Sequence, residues 1–184
     1  GSAAVSGGGV AGVGVSGAGV GALNRIAMQV QSYIDGDGPT GITAGSVHIK
    51  ADDNSTIDAI AVGAAFAAGF GGVAGVSVSI GAAVADNIIT NDISAFIANA
   101  DDGVTATQGE ISLNAVENAT VDATAVAASL SVAIGTVGVA LSGAGADVDN
   151  IIANDVASYI ESSTVVTQTP YDHLSTAQLG ETEQ

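Results

Sequence analysis

Cysteine and tryptophan are absent from this 184-residue chain, and basic residues nearly so. Two lysines and arginines stand against 19 aspartates and glutamates, a formal charge of −17. Two cations cannot neutralise a phosphate backbone, so nucleic acid is excluded as a partner, and an anionic membrane surface with it. Without cysteine there is no disulfide framework and no thiolate metal site. Only His48 and His173 can offer imidazole, which argues against tetrahedral zinc. Three Phe and three Tyr cannot fill a wide globular core. What is present is a 47% hydrophobic content, mostly small aliphatic residues, together with 26 glycines. That is too apolar for a disordered acidic tail. It suits a thin core of stacked Val, Ile, Leu and Ala.

An internal repeat organises these residues. Tyr33, Phe96 and Tyr159 recur at a spacing of 63, each followed by isoleucine. The same spacing relates Asn24, Asn87 and Asn150, and again Val30, Ile93 and Val156. Elsewhere the offset becomes 64, from Val47 to Ile111 and from Asp58 to Asp122. A slip of one residue is what a loop between fixed strands tolerates. The expected organisation is a partial repeat forming an apolar arm (residues 3–23), two full repeats (24–86 and 87–149), a partial third (150–166) and a polar tail or linker (167–184).

Within one repeat, Val47, Ile49 and Ala51 alternate with Ser46, His48 and Lys50, the period of a half-buried strand. Ala59 to Ala85 and Ala123 to Ala146 then carry no charge, and Gly71-Gly72 and Gly135-Thr136 break them. These arms read as two strands joined by a tight turn, a hairpin buried on both sides. Two rival readings stand beside this one. Ile89, Ile93, Phe96 and Ile97 also fit a helical stripe, although β-branched residues and the Asn-Asp pairs favour a strand. The uncharged runs are long enough to span a bilayer, but they are glycine-rich and have no flanking Lys, Arg or Trp.

Side chains that carry chemistry are sparse. Asp35-Gly-Asp37-Gly resembles part of a calcium turn, and Asp101 and Asp102 are its counterparts in the next copy. A solvated acidic turn explains them better, because the spacing changes between copies and no Glu sits at a fixed later position. Asn24, Asn87 and Asn150 suit a hydrogen-bonded ladder at a corner of a stack, and Tyr33, Phe96 and Tyr159 a parallel aromatic row. Scattered acids without a tryptophan platform do not make a glycosidase, and no Ser-His-Asp spacing occurs. The chain therefore reads as non-enzymatic, with no catalytic or cofactor-binding residue and, calcium apart, no cofactor.

Ser32-Tyr33-Ile34, Gly41-Ile42-Thr43-Ala44 and Gly45-Ser-Val-His-Ile-Lys-Ala51 recur as Ala95-Phe96-Ile97, Gly103-Val104-Thr105-Ala106 and Gly109-Glu-Ile-Ser-Leu-Asn-Ala115. This order resembles the repeats of very large bacterial surface exoproteins of the filamentous-haemagglutinin-like and leukotoxin-like adhesin group. The resemblance implies an all-β fold, a parallel β-solenoid, and an extracellular or cell-surface location. With the residues above, the expectation is a solenoid of repeats about 63 residues long with Gly/Ala/Val-rich hairpin arms. Its function would be that of a rigid acidic stalk or adhesive repeat. Its partners would be neighbouring repeats of the same long chain and further copies of itself. The alternative is a membrane-active, toxin- or pore-like module that inserts the uncharged arms.

Overall fold

The structure, a computed structural model, describes residues 1–168. His173 and the tail expected from residue 167 lie, beyond Gln168, outside the described residues; Thr167 itself ends a strand. In chain order the strands are β1 (Ser2–Gly8), β2 (Ala11–Ile26), β3 (Gln29–Asp35), β4 (Ile42–Ala44), β5 (Val47–Asp53), β6 (Thr56–Gly71), β7 (Ala74–Ile89), β8 (Asp92–Ala98), β9 (Val104–Ala106), β10 (Ile111–Glu117), β11 (Thr120–Ile134), β12 (Val137–Ile152), β13 (Asp155–Glu161) and β14 (Val165–Thr167). One 3-10 turn, Gly38–Thr40, interrupts them. No α-helix occurs among the described residues, so the helical stripe around Ile93 is a strand. The molecule is all-β, with stacked parallel sheets of the β-solenoid type. It divides into two compact units.

One unit comprises Gly1–Asn24, Ile57–Asn87 and Val121–Ile151. It holds two three-stranded sheets, ordered β1-β6-β11 and β12-β7-β2. The arms are therefore not hairpins. β6 and β7 follow each other around Gly71-Gly72-Val73 but belong to different sheets. Their backbone groups point sideways to equivalent strands of other arms, and the turns themselves are tied together: Val73 N–H donates to Val10 O at 3.0 Å and Val137 N–H to Val73 O at 2.9 Å. Nor are the arms buried on both sides. Along β6, Ala59, Ala61, Gly63, Ala65 and Ala67 point inward, while Ile60 is 78% and Val62 57% exposed. The interior is made of the smallest side chains, and so the facing strands approach until backbone nearly meets backbone. A Cβ placed on Gly63 would lie 2.2 Å from Ala82 O. Ordinary facing sheets stand about 10 Å apart. Bulky residues have no room between such layers and are left outside.

The second unit comprises Arg25–Thr56, Ile88–Thr120 and the described part of Ile152–Gln184. Its three parallel sheets, β13-β8-β3, β14-β9-β4 and β10-β5, enclose one apolar core. Ile93, Ala95, Ile97 and Val104 are fully buried there, packed against Val30, Ile34, Leu113 and Val165. Each fully buried Ile or Val contributes roughly 1.5–3 kcal/mol through apolar burial. Register sets Tyr33 beside Phe96 and Phe96 beside Tyr159, and sets Val47 beside Ile111. These are the pairs that the offsets of 63 and 64 place together. The β4 row differs: Ile42 faces Val104, and Val104 faces Val165. Progressively shorter loops absorb the difference, helped by left-handed backbone at Gly41 (φ 68°) and Gly103 (φ 103°), where a side chain would be strained.

Candidate functional site: side-chain rows along the stacks

A parallel in-register stack places like residues one above another about 4.8 Å apart, a spacing that amide and aromatic side chains can bridge. Asn24 Nδ2 donates to Asn87 Oδ1 and Asn87 Nδ2 to Asn150 Oδ1, both at 2.8 Å. Asn87 is fully buried, while its partners Asn24 and Asn150 are half-buried and exposed, respectively. In the second unit the rings of Tyr33, Phe96 and Tyr159 form one column, with centroids 4.9 Å apart at each step and planes within 7° and 3° of parallel. Parallel rings with centroids 4.9 Å apart lie in the range of stacked aromatic pairs, and the strand register holds them there.

A polar network that sequence patterning did not connect lies beside the core. Asn91, 2% exposed, donates through Nδ2 to Asp53 Oδ2 at 2.8 Å and to Ser55 Oγ at 2.9 Å. Ser55 Oγ donates to the same carboxylate at 2.6 Å. One step along, Asn154 Nδ2 donates to Glu117 Oε1 at 2.7 Å, and Asn91 N–H donates to Asn154 Oδ1 at 2.7 Å. Asp53 and Glu117 are register partners on β5 and β10. Burial pushes the Glu117 carboxyl above its ordinary range, and the Asp53 carboxylate and its hydrogen bond push it further; the Asn91 amide pulls the other way. Glu117 Oε2 is enclosed without a hydrogen-bond partner. In the sequence the two carboxylates stand in the polar segments Asp52-Asp53-Asn54 and Glu117-Asn118, which read as turns after strands. The usable signal was that Asp53 to Glu117 and Asn91 to Asn154 keep nearly the same offset.

The calcium candidates are placed as follows. Asp35 Oδ1 accepts from Asn99 Nδ2 at 2.7 Å, and Asp37 Oδ2 accepts from Gly103 N–H, so both carboxylates tie one loop to the next. Asp101 and Asp102 are exposed. Among the described residues no three His, Asp or Glu side chains converge on a point. His48 Nδ1 meets Ser112 Oγ at 2.6 Å and Glu110 at 3.9 Å on an open strand face. What these rows can do chemically is hold neighbouring strands in register. No protein-family model, no curated protein and no solved structure matches the chain.

Proposed function

We propose that this chain is a structural and adhesive repeat module, without enzymatic activity, of a giant secreted or surface-anchored bacterial protein. Its repeats of about 63 residues stack as a rigid acidic stalk in which each repeat covers the next. The observation that carries this reading is the pair of unbroken rows, Asn24–Asn87–Asn150 and Tyr33–Phe96–Tyr159, in which each step repeats the contacts of the last. High negative charge keeps the exposed faces soluble. The test is to fuse two and four copies of residues 24–149 in tandem and unfold them in urea. Stacked repeats gain interfaces with number, so the midpoint should rise from two copies to four; an unchanged midpoint means independent beads and sinks the proposal.

A second reading is favoured by one observation, the apolar outer faces of the arms. Ile60, Val62, Ile80 and Leu130 are each more than half exposed, in arms without charge. Among the described residues no helix is long and apolar enough to cross a membrane, so insertion would fall to strands. Flotation with neutral liposomes separates the readings: co-flotation of the isolated chain supports a membrane-active module, and its absence leaves the stalk.

A further inference from the structure

Among the described residues every sheet ends on an edge strand with no further strand beside it. In the first unit β2 and β12 bound one sheet; in the second, β3 and β13 bound another, with β4 and β14, and β5 and β10, bounding the rest. An open edge presents a row of unpaired N–H and C=O groups, and natural edges are commonly blunted by Lys or Pro. β3 and β13, each seven residues long, carry neither. The two edges of each sheet are also the two faces of one repeating contact. Asn150 accepts from Asn87, and its exposed Nδ2 has no partner among the described residues; Asn24 donates to Asn87, and its Oδ1 has none. Tyr33 and Tyr159 each have one ring face free at the ends of the aromatic column.

Gln29 already donates to Asp92 at 3.1 Å, and Asp155 is the register equivalent of Asp92. We propose that a second copy of this chain docks head to tail through the second unit, its β3 pairing in parallel with β13, so that its Gln29 faces Asp155 and its Tyr33 stacks on Tyr159. The contact is heterologous and leaves the same edges open again, so assembly continues beyond the dimer. This inference rests on the stacking reading above and adds the partner and its polarity.

Single-edge proline variants of the full chain test it. In the β3–β8 ladder, Met28 and Gly36 bond toward β8, and parallel strands alternate sides, so the Gln31 N–H points away from β8. Asp155 and Glu161 bond toward β8, so the Ile160 N–H likewise points away. Gln31→Pro and Ile160→Pro therefore each block one edge and spare the internal ladder. By sedimentation velocity the parent should grow beyond a dimer with concentration, each variant alone should stay monomeric, and an equal mixture of the two should stop at the dimer. A parent that is monomeric at millimolar concentration overturns the proposal, and so does loss of assembly in only one of the two variants. Because the chain lacks cysteine, the double variant Gln29→Cys with Asp155→Cys supplies an independent reading. Those positions lie two register steps apart within one chain, about 9–10 Å, too far for an internal disulfide. Oxidation should give a ladder of covalent multimers on a non-reducing gel, while a monomer band alone refutes the contact. Amide exchange at Ile93, Ala95 and Ile97 distinguishes the two ideas: unprotected amides there mean that the stacking itself fails, whereas protected amides in a monomer mean that only the docking fails.

Discussion

Replacing Gly63 by alanine isolates the close approach of the arm layers. An added Cβ would sit 2.2 Å from Ala82 O, 3.0 Å from Ala82 C and 3.5 Å from Ala82 N. Ordinary van der Waals contact begins near 3.4 Å, and the obstacle is main chain held in a ladder on either side. The layers must separate locally by about 1 Å, and overpacking of this kind costs about 1–3 kcal/mol. At an unconstrained strand position the same change would stabilise by about 0.4–1 kcal/mol, because it restricts the unfolded chain. Gly19, on β2 with nothing within 4 Å of its would-be Cβ, is the internal control. Urea unfolding followed by far-UV circular dichroism should place Gly63→Ala about 2–3 kcal/mol below Gly19→Ala at unchanged slope. Adding Ala82→Gly should not rescue Gly63→Ala, since the clash is with a carbonyl and not a side chain. A Gly63→Ala protein as stable as its parent would refute the close-layer account.

Three further outcomes can be checked by the same unfolding assay. Asn87→Ala removes both bonds of the amide row and strands the Asn24 donor; a loss of about 2–4 kcal/mol is expected, and a change within error would mean that water replaces the row without cost. Phe96→Ala deletes two ring contacts and Tyr33→Ala one; at about 0.5–1.5 kcal/mol per pair the former should cost at least twice the latter, and equal losses would show that stacking contributes little. Glu117 holds its proton more tightly folded than unfolded, so its contribution is fully present below the ordinary glutamate range and is lost as pH rises through its raised folded value. Glu117→Gln should therefore be more stable than the parent at neutral pH and should flatten the fall of stability with rising pH; a variant less stable than the parent at neutral pH contradicts this sign.

Much of the stacking was legible because a parallel in-register fold prints its contacts into the chain as a spacing. Tyr33, Phe96 and Tyr159 differ by 63, and Val47 and Ile111 by 64, and those residues are neighbours in space. The arms were misread for a physical reason. Alternation of Ile60, Val62 and Ala64 with Ala59, Ala61 and Gly63 has no polar residue to mark the outer side, so hydrophobicity alone cannot tell a strand covered on both faces from one covered on a single face. Residue size carried the missing information: the inward set is uniformly small. Hairpin pairing was inferred from the tight turn at Gly71-Gly72, yet a turn fixes only chain reversal, and the direction of the N–H groups decides which strands pair. The Asp53–Asn91–Glu117–Asn154 network joins segments about 40 residues apart, a distance that spacing within one row does not reveal.

Register sets some carboxylates side by side, as it does isoleucines. Asp92 lies directly beside Asp155, and Asp53 beside Glu117. Wherever such pairs recur along an array, carboxylates stand one strand width apart, closer than the Debye length at physiological ionic strength, about 8 Å. A long array would thus behave as a polyelectrolyte that gathers small cations along its flanks. Dilution into pure water should loosen it, and added salt should tighten it, the reverse of what attractive ion pairs would do.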